Sequence, residues 1–142
     1  MKRLIENWRK HLKEQQSISY SGIVLDEDSR QKLLSLPIPE GWKPIAHHIT
    51  ITMGPLKDSF AEIYKVGDKI TLTAIAIGQD ERAMAIKVEP PGKISDHISF
   101  AHVTVAVNKK IGGKASDSNE IPEENFKPYD NILSGIVTEV AQ

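Results

Sequence analysis

The sequence has no cysteine among its 142 residues, which excludes disulfide bonds, thiolate zinc sites and cysteine nucleophiles. Aromatic residues are sparse at 6%. No apolar run approaches the roughly 18 residues that a membrane-spanning helix requires, so we expect no membrane association. The start of the chain, MKRLIENWRKHLKEQQ, is too polar and too charged for a secretory signal. We therefore expect a cytoplasmic protein.

The length and the net charge of −1 fit one small domain without a strongly basic surface. The charge is nevertheless uneven, because residues 1–16 hold five basic and two acidic side chains, a net charge of +3. Apolar residues in this segment recur at helical spacing, at Leu4, Ile5, Trp8 and Leu12. We predict a basic amphipathic helix within residues 1–17 and a single domain over residues 18–142. Such a helix could meet a phosphate backbone or simply present a solvated face.

Six segments predict strands, at 19–25, 44–53, 69–78, 82–90, 97–108 and 132–141, and the one at 44–53 is rich in β-branched residues and ends at Gly54-Pro55. A short helix follows the first strand, capped by Asp26 or Asp28. The short turn at 78–81 predicts a hairpin and therefore antiparallel pairing. The pattern indicates an α+β fold.

Two short segments occur twice in the chain. Ser21-Gly22-Ile23-Val24 recurs as Ser134-Gly135-Ile136-Val137, and His48-Ile49-Thr50-Ile51 recurs in type as His102-Val103-Thr104-Val105. Two such repeats in one small chain favour two pseudo-equivalent sheets that face each other.

The paired His-x-Thr segments are the candidate site. Successive side chains of a strand point to opposite faces, so His48 and Thr50 share one face of their strand. His102 and Thr104 share a face in the same way. Each strand thus buries an aliphatic face and offers an imidazole beside a hydroxyl on the other.

This arrangement suits phosphoryl chemistry. Cleavage of a phosphate ester needs a base for the nucleophile and an acid for the leaving oxygen, and histidine can act as either near neutrality. Two imidazoles on opposite sides of a phosphate can hold opposite protonation states. The hydroxyls of Thr50 and Thr104 can donate hydrogen bonds to the non-bridging oxygens.

Other chemistries have weaker support in the sequence. A catalytic metal would need ligands that the sequence does not mark, because His47 and His48 are adjacent and should diverge on a strand. We expect His47 to point away from the His48 face. Neither a G-x-S-x-G motif nor a phosphate-binding glycine loop is present. We therefore expect neither a metal nor another cofactor.

The long polar segment from 109 to 131 supplies further candidates. Ser116, Ser118 and Asn119 follow the second motif strand. Their hydroxyl and amide groups could stand at the mouth of a cleft, and Ser118 and Asn119 are possible substrate-binding residues.

The segments HHITI and AHVTV together resemble the 2H phosphoesterase superfamily, whose signature is two H-x-[ST]-hydrophobic motifs on facing strands. Within it, the likeness is closest to the phosphodiesterase-like domain related to fungal tRNA ligase and other RNA-repair proteins. It is carried by SGIVLDEDSRQKLLSL, GWKPIAHHITITMG, FAHVTVAV and GGKASDSNEI, and it covers about residues 18–141. The resemblance implies a bilobal fold, with two facing sheets, outer helices and a central groove.

The resemblance also implies metal-independent cleavage of 2′,3′-cyclic phosphates at RNA ends, or of related nucleotide phosphodiesters. His48 and His102 would be the catalytic acid/base pair, with Thr50 and Thr104 as phosphate ligands. Two alternatives stay open, a phage-type phosphodiesterase that degrades cyclic oligonucleotide signals and a catalytically silent module that binds RNA or nucleotides. The expected partner is RNA or a nucleotide, and we expect a monomer.

Overall fold

The computed structural model describes residues 18–56, 60, 63–92, 94 and 100–141. The basic helix predicted within residues 1–17 lies outside this described part, as do residues 97–99 of one predicted strand. The described strands are β1 (Ile18–Leu25), β2 (Lys43–Pro44), β3 (His48–Met53), β4 (Lys69–Gln79), β5 (Ala83–Glu89), β6 (His102–Val107) and β7 (Lys127–Ala141). The helix α1 spans Glu27–Leu34, and three 3-10 helices span Lys109–Ile111, Ala115–Glu120 and Glu123–Asn125.

The strands form one antiparallel sheet in the order β2-β6-β3-β1-β7-β4-β5. Because β5 also pairs with β6, six of these strands close into a barrel, and the two-residue strand β2 pairs with β6 beside β3. The β4–β5 hairpin predicted from the sequence is part of this barrel. No helix in the described residues is both long and apolar enough to span a membrane.

The predicted α+β class and the bilobal arrangement of two facing sheets are therefore wrong. The described chain is mainly strand, and its strands form a single closed sheet rather than two lobes. Alternation of polar and apolar residues shows that a segment is a strand, but it does not show which strands pair. The closing β5–β6 ladder, for example Ile86 opposite Val103, joins segments whose sequences do not mark each other as partners.

The repeated Ser-Gly-Ile-Val segments are neighbours in the sheet, which differs from the predicted facing sheets. β1 and β7 are antiparallel, with Ile23 opposite Val137 and Val24 opposite Ile136. A Cβ atom at Gly135 would collide with the carbonyl oxygen of Val24. The absence of a side chain at Gly135 therefore allows β1 and β7 to approach closely.

Helix α1 lies where the sequence predicts a short helix after the first strand. Asp26 is its N-cap and accepts a hydrogen bond from the backbone N–H of Ser29 at 2.9 Å. The hydroxyl of Ser29 accepts a hydrogen bond from the backbone N–H of Ser134 on β7. Leu33 is fully buried in the core. The helix thus packs on β7 rather than forming a separate layer.

Two apolar clusters stabilise the described part of the chain. The larger one fills the barrel with alternating strand residues such as Ile49, Ile51, Val103 and Val105. The smaller one lies beneath the segment that follows β6, and it consists of Ala83, Ala85, Val107 and Ile121. Ile121 belongs to the segment with the 3-10 helices, so this segment packs against β5 and β6. That packing brings the segment close to the His-x-Thr motif of β6.

Candidate active site

A cavity of about 290 Å³ brings the two His-x-Thr motifs together. It is formed by residues of β1, β3 and β6, by Ile45, and by the 3-10 helix Ala115–Glu120. The lining residues are Tyr20, Ile45, His48, Thr50, Met53, His102, Thr104, Ala115, Ser116 and Asn119. Its volume is at the lower end of the range that is typical of small-molecule sites.

The pairing of β3 with β6 explains why both motifs reach this cavity. Ile49 lies opposite Val103, and both side chains are fully buried in the core. Side chains on either side of this pair must point the other way. All four motif side chains therefore lie on the same face of the two strands, whereas the spacing predicted a shared face only within each strand.

The His48 imidazole is half-buried and contacts two aromatic neighbours. The Tyr20 ring stacks on it with centroids 4.2 Å apart, and the Tyr20 hydroxyl lies 3.2 Å from His48 Nδ1. His47 Nδ1 lies 3.0 Å from the same nitrogen. Burial, and then the charges of His47 and His102, lower the pKa of His48 from 6.5 to about 4. The free site therefore favours neutral His48 at neutral pH.

His47 was predicted to point away from the His48 face, and that prediction is wrong. The rings of His47 and His48 are 5.2 Å apart between centroids and nearly perpendicular. The alternation rule requires extended backbone, but β3 begins only at His48, and Ala46 has a positive φ of 43°. The bend before the strand turns His47 toward its neighbour, and the positive φ of Ala46 is not visible in the sequence.

The His102 imidazole is fixed by the backbone just before its strand. Its Nδ1 lies 2.7 Å from the carbonyl oxygen of Phe100, and the Phe100 ring lies 4.9 Å from the imidazole centroid. A carbonyl can only accept, so Nδ1 carries the proton and neutral His102 has its lone pair on Nε2. Burial lowers the pKa of His102, and the hydrogen bond to Phe100 partly opposes this effect.

The two motif threonines have different surroundings. The Thr104 hydroxyl donates to the carbonyl oxygen of Ala115 at 3.2 Å and lies 2.8 Å from the hydroxyl of Ser118. Thr104 is 7% exposed and Ser118 is fully buried. Thr50 is half-buried and makes no hydrogen bond through its hydroxyl to any other described residue. The described residues therefore leave the Thr50 hydroxyl available to a ligand and engage that of Thr104.

Of the three candidates from the long polar segment, the structure places two in the cavity lining and one outside it. Asn119 and Ser116 line the cavity, and the Asn119 amide donates to the carbonyl oxygen of Ser116 at 3.2 Å. Ser118 lies behind them, on the hydroxyl of Thr104.

Tyr20 is a lining residue that the sequence reasoning missed. The only signal for it is an aromatic side chain two residues before Gly22, on a strand that proved to pair with β3. That pairing is not visible from the sequence.

A cationic side chain lies next to the His102 strand. Lys87 stands opposite His102 in the β5–β6 ladder, and its ammonium group is 4.3 Å from the centroid of Phe126 and 2.5 Å from a carboxylate oxygen of Glu123. Its charge is therefore paired within the protein.

Within the residues that the structure describes, no three His, Asp or Glu side chains are grouped so that they could hold a metal ion.

No protein-family model matches the chain. No curated protein matches it either. A solved structure of a fungal RNA kinase aligns with 87% of this chain and 42% of its own, at 16% identity and a TM-score of 0.49. The chain thus spans less than half of that protein, and a similarity at this level establishes neither a shared fold nor a shared function.

Proposed function

We propose that this protein is a metal-independent phosphodiesterase that hydrolyses 2′,3′-cyclic phosphates at RNA ends, or related nucleotide phosphodiesters. The observation that carries the proposal is the cavity shared by His48 and His102, each half-buried and each with Nδ1 in contact with a protein group. Two such imidazoles at one cavity can supply both the acid and the base for cleavage of a phosphate ester without a metal.

The contacts of the two rings favour different roles. Neutral His102 has its lone pair on Nε2, because Nδ1–H donates to Phe100. It is therefore the better base. A neutral His48 whose Nδ1 accepts from Tyr20 or His47 carries its proton on Nε2, which suits the acid.

Hydrolysis then takes place in one step. His102 Nε2 takes a proton from water, and the water oxygen forms a bond to phosphorus. The bond between phosphorus and one ribose oxygen breaks, and that oxygen receives the proton from His48 Nε2 while His48 Nδ1 takes a proton from its hydrogen-bonded neighbour, so that the ring stays neutral. The products are a ribose hydroxyl and a phosphate monoester.

The remaining candidates supply positioning. We assign the Thr50 hydroxyl as donor to a non-bridging phosphate oxygen, because it lines the cavity beside His48. Thr104 and Ser118 hold the segment that carries Asn119, and Asn119 lies where an amide can contact the substrate. Fixed donors of this kind stabilise developing charge without reorganisation.

The test is hydrolysis of short RNA oligonucleotides that end in a 2′,3′-cyclic phosphate, with cyclic dinucleotides as a second substrate class. His48→Ala and His102→Ala should each lower kcat by about 10²–10⁴-fold. Thr71→Ala, at an exposed position of β4, is the control and should keep full activity. Activity within a factor of two of the wild type in either histidine variant would refute the catalytic assignment.

The substrate panel separates the alternatives. Turnover of cyclic dinucleotides but not of RNA ends would identify the enzyme as one that degrades cyclic oligonucleotide signals. Binding of RNA or nucleotides without turnover would indicate a silent binding module. Loss of wild-type activity on addition of a chelator would contradict the metal-independent mechanism.

A further inference from the structure

His47 precedes His48 in the chain and contacts its ring. It is exposed, and it does not belong to the cavity lining. Its Nδ1 is nevertheless 3.0 Å from His48 Nδ1, which is hydrogen-bond distance. His48 therefore has a protein partner on Nδ1 and makes no hydrogen bond through Nε2 to the described residues.

We propose that His47 and His48 form one proton-donating pair, in which exposed His47 carries the positive charge and His48 delivers the proton to the leaving oxygen. This inference rests on the proposed function, because it concerns the acid of the same reaction. His47 acts through His48 and is therefore a positioning residue rather than a catalytic one.

The environment of His48 makes such a partner necessary. A strong general acid needs a cationic imidazole, but burial disfavours the cation at His48 and lowers its pKa. Among the residues that the structure describes, the titratable side chains that face His48 are Tyr20 from β1, His47 from the bend before β3, and His102 from β6. None of these is a carboxylate that could stabilise a buried cation. An imidazolium at exposed His47 stays in water and avoids this cost.

The proton transfer involves both rings, because His48 gives up one proton and receives another from His47. As His48 Nε2–H gives its proton to the leaving ribose oxygen, His47 Nδ1–H gives its proton to His48 Nδ1. One N–H bond breaks and one forms on His48, and the positive charge of His47 is lost as the negative charge on the leaving oxygen is neutralised. Afterwards both imidazoles are neutral, and His47 regains a proton from solvent as the His48 proton returns to Nε2.

Tyr20 keeps the His48 ring in the orientation that this transfer requires. It stacks on the imidazole with an interplanar angle of 23°, and its hydroxyl lies 3.2 Å from Nδ1. Rotation of the His48 ring by 180° would break both Nδ1 contacts. The geometry therefore holds Nδ1 toward His47.

The kinetic test compares His47→Asn with His47→Ala. Asparagine keeps a hydrogen-bonding group near the position of Nδ1 but cannot carry the proton. In both variants kcat at pH 7 should fall about 10–100-fold, with KM nearly unchanged because His47 lies outside the cavity. The loss should shrink toward pH 4.5, where His48 itself becomes protonated.

Chemical rescue adds a result that a purely structural role would not give. Imidazole added to the buffer should restore part of the activity of His47→Ala, because the position is exposed. It should restore nothing in Thr50→Ala, which loses activity without losing an imidazole. If both His47 variants match the wild type at every pH while His48→Ala is inactive, the paired acid is refuted and the phosphodiesterase proposal stands.

A measurement without substrate separates the two proposals further. ¹⁵N NMR of the histidine rings at pH 7 should show neutral His48 protonated on Nε2, with its Nδ1 accepting a hydrogen bond. A His48 protonated on Nδ1 would reverse the hydrogen bond and refute the pair. This measurement does not depend on turnover, so it tests the hydrogen bond between the two rings separately from the proposed function.

Discussion

The hydroxyl groups of Thr104 and Ser118 lie 2.8 Å apart and join β6 to the 3-10 helix that follows it. The Thr104 hydroxyl has one proton, which it donates to Ala115 in the same helix. It accepts in turn from Ser118. The second motif threonine thus anchors the segment that forms one wall of the cavity, whereas Thr50 of the first motif makes no such bond among the described residues.

Replacement of Thr50 by valine should therefore reduce activity. The change keeps the shape of the side chain and removes the hydroxyl, and a hydrogen bond to a charged group contributes about 1.5–3 kcal/mol. We expect kcat/KM to fall about 10–100-fold with little change in stability. Thr50→Ser should retain most of the activity. A Thr50→Val enzyme as active as the wild type would show that this hydroxyl does not contact the phosphate.

Replacement of Ser118 by alanine should act mainly on stability. It removes a fully buried donor and leaves the Thr104 oxygen without it, which costs about 1–3 kcal/mol. Urea denaturation should show this loss, together with a raised KM as Asn119 moves. Ser116→Ala, at an exposed position in the same 3-10 helix, is the matched control and should leave stability unchanged. Equal stability of the two variants would contradict the anchoring role.

The sequence alone predicted the local features of this structure. The strand patterns located six strands, and the capping pattern located α1 with Asp26 or Asp28 as its N-cap, of which the structure shows Asp26. The alternation within each His-x-Thr motif placed the histidine and threonine on one face. These features depend on residues close together in the chain, which is why a single sequence contains them.

The features that could not be predicted from the sequence depend on contacts between segments that are far apart in the chain. β7 begins at Lys127 rather than near 132, because Lys127 and Pro128 pair with Ile77 and Ala76 of β4. The sequence does not distinguish Ser118 from the exposed Ser116, and only the position of the 3-10 helix on β6 buries Ser118. The same applies to the closure of the barrel through β5 and β6.

Gly22 offers a test of how closely β1 approaches the site. A Cβ atom there would lie 2.6 Å from the carbonyl oxygen of Ile49, which stands between His48 and Thr50. Gly22→Ala should therefore displace β3, destabilise the fold by about 1–3 kcal/mol and lower kcat. Gly67→Ala is the control, because its positive φ strains the backbone but no atom lies within 4 Å of the new Cβ. The control should lose stability and keep its kcat, and a Gly22→Ala enzyme with normal kcat would contradict the close approach.

The lowered pKa of His48 makes the stability of the fold depend on pH. As pH falls below 6.5, the unfolded chain binds a proton at His48 while the folded chain does not, so the free energy of unfolding decreases. With a folded pKa of about 4, this loss amounts to about 1.5 kcal/mol between pH 6.5 and pH 5. Above pH 7 both states hold neutral His48, and its contribution is constant.

His48→Gln removes this titration. Urea denaturation between pH 7.5 and pH 5 should therefore show a smaller decrease in the free energy of unfolding for the variant than for the wild type. Comparing the two decreases, rather than the absolute values, cancels the packing cost of the substitution and the titration of other groups. Parallel pH curves for the two proteins would mean that His48 titrates alike in the folded and unfolded chains, and that its ring is not desolvated at the cavity.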